Sequence, residues 1–335
     1  MDRVLVTGGA GFIGSHLTER LIGEGHEVVV LDSLATGRLE NLAHLSGHPR
    51  LRFQRVDVAN FDEIHPLFTG VRRVFHLAAL ADIVPSIQKP LLYHRANVEG
   101  TASVLEASRR ARVHSVVYAA SSSCYGVPDL TPTPESSPMQ PLYPYALTKR
   151  LGEEIAMHWA HTYRMRVISL RLFNVYGPRS RTSGAYGAVL GVFLAQKLAG
   201  KPFTVVGDGM QTRDFTYVTD VADAFVKASE SDLSGRVFNV GSGGTYSIKR
   251  LVELLGGPVV HIPKRPGEPD STFADTTAIE QALGWRARIS FEEGVRRVLE
   301  HIGDWEGAPV WTPDTILEAT HEWFECLTPQ ETVQK

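Results

Sequence analysis

Among 335 residues only two are cysteine, Cys124 and Cys326, far apart and outside any Cys-x-x-Cys pair. That scarcity excludes a disulfide framework and a cysteine zinc cluster, and fits two free thiols in a reducing compartment. No apolar run approaches the roughly eighteen residues that a membrane span requires. An excess of positive charge is missing as well: 34 basic and 37 acidic side chains leave −3, so no global field draws in a nucleic-acid backbone. Repeats and low-complexity tracts are absent. The first strand-like run opens at Val4 without a charged leader or a small-residue cleavage site, and the expected address is the cytoplasm. Neither a nucleic acid, a membrane nor a metal is expected as a partner.

What is present is an ordinary globular composition, 43% hydrophobic and 21% charged, in a chain long enough to bury a large core without staples. Short apolar runs alternate with longer amphipathic ones, the rhythm of strand-helix-strand units around a parallel sheet. Strands are expected at Arg3 to Thr7, Glu27 to Asp32, Leu51 to Val56, Arg73 to Leu77, Ser115 to Ala120 and Arg166 to Leu172. Helices are expected near 12 to 24, 88 to 111 and 144 to 163. The series predicts an α/β, doubly wound parallel sheet over residues 1–174. Beyond it, Pro and Gly punctuation at Gly177-Pro178, Gly207-Asp208-Gly209 and Pro266-Gly267 predicts a smaller substrate-binding cap over 175–335, with some chain crossing back to the sheet. Thr312-Pro313 reads as a helix start, and Trp305, Trp311 and Trp323 as packing on the chain's own surface.

The first chemical signal is Thr7-Gly8-Gly9-Ala10-Gly11-Phe12-Ile13-Gly14, three glycines at three-residue spacing between a strand and a helix. Without Cβ atoms, Gly8 and Gly11 let the backbone approach a pyrophosphate at the helix N-terminus, while Gly14 permits close helix-strand packing. A glycine triplet alone is weak, since tight turns need glycine anyway. Its position after a strand and before a helix strengthens it. Asp32 ends the second strand 18 residues after Gly14, placed to accept from ribose hydroxyls, which favours NAD over NADP. Arg38 nearby would soften that preference. Asp57 fits an adenine contact and a turn role about equally.

The second signal is Tyr143-Pro144-Tyr145-Ala146-Leu147-Thr148-Lys149. Four residues apart on a helix, Tyr145 and Lys149 share a face. An ammonium and an oxidised nicotinamide both favour the phenolate, so Tyr145 is expected to ionise near neutrality and act as a base on a sugar hydroxyl. Upstream, Ser121-Ser122-Ser123-Cys124-Tyr125-Gly126 follows a strand at the sheet edge where ligands bind, and Ser121 is placed to hydrogen-bond the same reacting oxygen. Tyr-x-x-x-Lys and Ser-Ser-Ser are each common on surfaces; in this chain order behind the glycine turn, chance explains them poorly.

In these motifs the sequence resembles the extended short-chain dehydrogenase/reductases, and within them the NAD-dependent nucleotide-sugar 4-epimerases, from Gly8 to about Thr272. The resemblance implies that NAD is touched by Phe12, Ile13, Asp32, Asp57, Val58, Leu77, Ala78, Ala79, Asn97, Tyr145, Lys149 and Phe173. It implies that Asn174 and Arg213 hold the diphosphate of a nucleotide sugar and that Arg265 and Glu268 hold diphosphate and ribose, a guanidinium fork matching phosphate oxygens. Related 4,6-dehydratases carry an Asp-Glu pair where Ser122 and Ser123 stand, and related UDP-glucuronate decarboxylases a glutamate at Ser123. The serines instead suit contacts to a polar C6 or N-acetyl group. Thr272 falls where the family places a gatekeeper, and a small residue there leaves room for an N-acetyl group. The segment Arg181 to Gly187 is expected at the border of the sugar pocket, and a homodimer is expected through the helices near 88 to 111 and 144 to 163. The alternatives are a nucleotide-sugar reductase or dehydratase of the same fold and, from another class, a non-catalytic NAD-binding interaction protein.

Overall fold

The computed structural model describes residues 1–180 and 187–328. Seven strands form one parallel sheet: β1 (Arg3–Thr7), β2 (Glu27–Asp32), β3 (Leu51–Arg55), β4 (Arg73–His76), β5 (Ser115–Ser121), β6 (Val167–Leu172) and β7 (Arg236–Val240). Their spatial order is β7-β6-β5-β4-β1-β2-β3, with Thr7 level with Leu31 on one side and His76 on the other. This is the doubly wound α/β fold that the sequence predicted. The order reverses between β1 and β4, and the crevice at their carboxyl ends is where such sheets bind ligands.

Both sheet faces are covered because alternate residues of each strand point to opposite sides. Val4, Val6, Val28 and Val30 pack with Leu17 and Leu21 of α1 (Phe12–Gly23). Leu5, Val29, Val74 and Val116 pack on the other face with Val104 and Leu105 of α3 (Gly100–Arg110). Tyr145 and Lys149 ride on the long helix α4 (Pro144–Tyr163). A separate core gathers Phe193, Phe203, Phe215, Phe291 and Trp305 from the chain past residue 174.

One expectation needs correction. The helix expected near 88 to 111 is interrupted: α2 (Ile83–Gln88) ends before Lys89-Pro90, a short helix follows over Pro90–His94, and a π-turn over Arg95–Glu99 leads into α3. Pro90 lacks an N–H and pushes its predecessor out of helical geometry; Lys89 sits at φ −133°, ψ 57°. Chain past residue 174 crosses back to the sheet. Helix α5 (Val218–Glu230) packs against α1, and β7 pairs with β6 from Arg236–Ile168 to Val240–Leu172, so the second half supplies the sheet's outermost strand. Among the described residues no helix is long and apolar enough to cross a membrane, and no group of three potential metal ligands converges.

Candidate active site

The backbone itself builds the first part of the site. Gly8 has φ +70°, and a Cβ there would lie 2.8 Å from the Ala78 amide nitrogen; a Cβ on Gly14 would lie 2.1 Å from the Gly8 carbonyl oxygen. Neither position accepts a side chain, because both are pressed against backbone that cannot yield. Gly11 caps α1 without a side-chain hydrogen bond, and the first turn holds no acid. Its N–H dipoles therefore point to the crevice with no carboxylate of the chain's own in the first turn. Thr7 Oγ1 accepts from the N–H groups of Leu77 and Ala78, both at 3.2 Å. His76 bridges Thr7 Oγ1 (2.7 Å) and Thr101 Oγ1 (3.0 Å), and burial pushes its pKa down to about 3, so as a neutral ring it ties the end of β1 to α3.

Asp32 accepts from Ala10 N–H at 3.0 Å and Leu34 N–H at 2.8 Å. Burial raises its carboxyl above the usual range, against these two hydrogen bonds. Arg38, which would soften a preference for NAD, does not line this crevice; it reaches Asn41 and borders a separate cavity. Asp57 accepts from Ala59 N–H at 3.0 Å, a turn bond, while also reaching the cavity wall.

One cavity of about 840 Å³ collects nearly all the expected residues: Gly8, Gly11, Phe12, Ile13, Gly14, Asp32, Asp57, Val58, Leu77, Ala78, Ala79, Ser121, Ser122, Ser123, Tyr145, Lys149, Asn174, Arg213, Arg265, Glu268 and Thr272 all line it. Asn97 and Phe173 do not. The Asn97 amide accepts from Leu80 N–H (2.8 Å) and donates to Leu80 O and Thr148 Oγ1 (both 2.9 Å), so it ties the turn after β4 to α4. Phe173 is buried against Cys124, Tyr125 and Ala274 behind the wall. The Arg181 to Gly187 expectation falls, apart from Gly187, outside the described residues.

Burial dominates the electrostatics of the acid-base pair. Burial raises the Tyr145 phenol, and the hydrogen bond from Ser121 pulls the other way. Burial also lowers Lys149 to about 7, while the charge of Glu153 one turn away raises it. The Lys149 ammonium lies 4.5 Å from the centroid of the Tyr118 ring. In both groups loss of solvation is the largest influence, and it disfavours the charged form. Ser121 Oγ also lies 2.8 Å from Ser123 Oγ and accepts from Ser123 N–H at 3.2 Å, which fixes the serine turn.

On the opposite wall, Arg213 donates to Glu268 at 2.7 Å and to its neighbour's Thr212 O at 2.8 Å. Thr272 donates to Asn174 Oδ1 at 2.8 Å. Behind α4, Glu153 and Arg171 form a buried ion pair at 2.5 Å, both side chains about 5% exposed or less. Arg171 continues to Tyr125 (2.7 Å), which donates to Asn239 (2.7 Å). Sequence reasoning missed this brace, along with Thr7, His76, Tyr143 and Trp323. A charged residue one helical turn past Lys149 was the available signal for Glu153; Trp323 had none.

The chain belongs to the NAD dependent epimerase/dehydratase family, whose model matches residues 4–241. It is 37% identical over 312 residues to a UDP-glucose 4-epimerase of Mycolicibacterium smegmatis, covering 89% of this chain and 97% of that one. It is 34% identical over 308 residues to UDP-glucuronic acid decarboxylase 1 of Arabidopsis thaliana, covering 89% and 69%. Among solved structures, a UDP-glucuronic acid 4-epimerase from Bacillus cereus, in complex with UDP-glucuronic acid and NAD, superposes with a TM-score of 0.84 at 31% identity, covering 90% of this chain and 99% of that one.

Proposed function

We propose that this protein is an NAD-dependent epimerase of a nucleotide-diphosphate sugar, inverting C4 through a transient 4-keto sugar. The observation that carries the reading is the single cavity in which Tyr145, Ser121 and Lys149 face a glycine turn that admits no side chain. The residues fit a dinucleotide: the first-turn amides of α1 for the pyrophosphate, Asp32 for the adenosine ribose, and the 1–174 half for the whole cofactor. NAD bound there supplies the hydride acceptor for C4 and gives the hydride back, so no net oxidation follows.

The chain's own residues manage the proton. Tyr145 removes it from the C4 hydroxyl and returns it after the keto sugar has turned over. Ser121 donates to the oxygen that carries the developing charge, and Lys149 holds positive charge on the same helix face. Asn174, Arg213, Arg265 and Glu268 grip diphosphate and ribose, which leaves the sugar loosely held and able to present either face. Ser122 and Ser123 carry no carboxylate, so proton transfer at C5 or C6 has no agent there. That speaks against loss of water and against the decarboxylation named for the Arabidopsis relative. A homodimer in the cytoplasm completes the proposal; Leu91 and Leu147, 84% and 44% exposed on the helices expected to pair, are apolar surface for it.

The test is incubation with a panel of nucleotide sugars, UDP sugars first, without added cofactor, followed by product separation. A C4 epimer at constant NADH is expected. A pentose with carbon dioxide, a dehydrated product, or no conversion of any sugar would overturn the reading.

A further inference from the structure

The C-terminal helices α6 (Pro313–Ala319) and α7 (His321–Leu327) lie beyond the residues that the family model matches, yet one of their side chains reaches the cavity. Thr312 starts α6 with a reciprocal cap to Thr315. Helix α7 then packs on α2 of the first lobe. Trp323, 4% exposed, lines the cavity wall. Its indole N–H donates to the Pro266 carbonyl at 2.9 Å, its ring sits 6.3 Å from that of Tyr143 at 49°, and the Arg265 guanidinium lies 5.5 Å from its centroid. Leu327, one turn on, comes within 3.8 Å of where a Gly267 Cβ would stand. These contacts of Trp323 and Leu327 are all to the turn 265–268 or to the segment leading into α4.

We infer that α7 is part of the substrate site and that Trp323 is a positioning residue: it clamps the Arg265–Glu268 turn between the lobes and so sets affinity for a nucleoside diphosphate. The inference rests on the nucleotide-sugar reading above. Gly267 has φ +71°, and within the turn Arg265 and Glu268 approach to 3.7 Å. The indole adds a restraint from outside, one hydrogen bond to the turn's backbone and one aromatic face for its arginine. Arg265 thereby loses rotamers before ligand arrives instead of on binding. Glu268, on the same turn, holds Arg213 at 2.7 Å, so the restraint extends to the second guanidinium. An epimerase that must let the sugar turn over depends on such an anchor at the nucleotide end.

The experiment uses the full chain with NAD bound. UDP, dTDP, GDP and CDP are titrated calorimetrically into the unaltered protein, and the tightest binder is compared in Trp323→Ala and Trp323→Phe. Loss of the hydrogen bond and the cation–π contact weakens binding about tenfold or more in Trp323→Ala, and about threefold in Trp323→Phe, which keeps the ring. KM for the sugar substrate rises by the same factors while kcat falls less, and NAD content is unchanged; a merely structural role would lower NAD content and kcat instead. Diphosphate affinity within twofold of the unaltered protein in Trp323→Ala overturns the inference alone. If Trp323→Ala does not fold, unchanged affinity in Trp323→Phe overturns it. If the unaltered protein binds none of the four diphosphates, the nucleotide-sugar reading itself falls.

Discussion

Lys149 offers the sharpest test of how this site is built. Its pKa is lowered from an ordinary 10.5 to about 7 by burial, against the pull of Glu153. At 1.36 kcal/mol per pH unit, holding that ammonium in the fold costs roughly 5 kcal/mol at and below neutral pH. Between about pH 7 and 10.5 the unfolded chain binds this proton and the folded one releases it, so stability rises with pH across that window and the cost is gone above it. Lys149→Met, which keeps most of the apolar stem, should therefore be the more stable protein at pH 6.5. Its advantage should shrink by about 1.4 kcal/mol for each pH unit from 7.5 to 9.5. Urea unfolding of both proteins at matched NAD, stepped from pH 6.5 to 9.5, measures the difference. A constant offset reports only packing or cofactor contacts; the slope reports the desolvated ammonium. A difference that does not change with pH over this range refutes the reasoning.

Four further outcomes are expected. Tyr145→Phe, which removes only the buried hydroxyl, should cut turnover by roughly two to four orders of magnitude with nucleotide-sugar affinity little changed; near-normal steady-state rates would remove Tyr145 from the chemistry. Thr272→Tyr breaks the 2.8 Å bond to Asn174 and fills the cavity beside it, so N-acetylated sugars should lose kcat/KM far more than plain hexoses; equal losses would end the gatekeeper assignment. Gly14→Ala places a methyl 2.1 Å from the Gly8 carbonyl oxygen and should yield protein without NAD, destabilised by about 1–3 kcal/mol; normal NAD content after purification would contradict the cradle. Glu153→Gln strands Arg171 as a buried charge and should destabilise by about 3–5 kcal/mol in thermal unfolding. It also removes the group that raises Lys149, so the alkaline limb of the kcat profile should move to lower pH, and an unmoved limb would count against that coupling.

Much of the site could be read locally. The glycine turn, Asp32, the serine run and the Tyr145–Lys149 pair are each defined by spacing within one strand-turn-helix unit, where backbone geometry alone dictates which residue types fit. Less legible were the roles of residues whose surroundings arrive from elsewhere in the chain. Asn97 faces Leu80 and Thr148, and Phe173 is covered by Cys124 and Ala274, so both stand behind the cavity wall. Burial raises the Tyr145 phenol, an influence that spacing along one helix does not show, because burial is a property of the packed molecule.

The sequence by itself determined the sheet, its ligand crevice and the order of chemical groups along it, since hydrophobic period and glycine placement are written into short stretches of chain. Tertiary structure alone decided that residues 236–240 close the sheet, that Glu153 pairs with Arg171, and that Trp323 meets Tyr143 and Arg265 at the cavity wall. Such contacts join residues on separate elements of the chain, and only the packing of those elements brings them within reach.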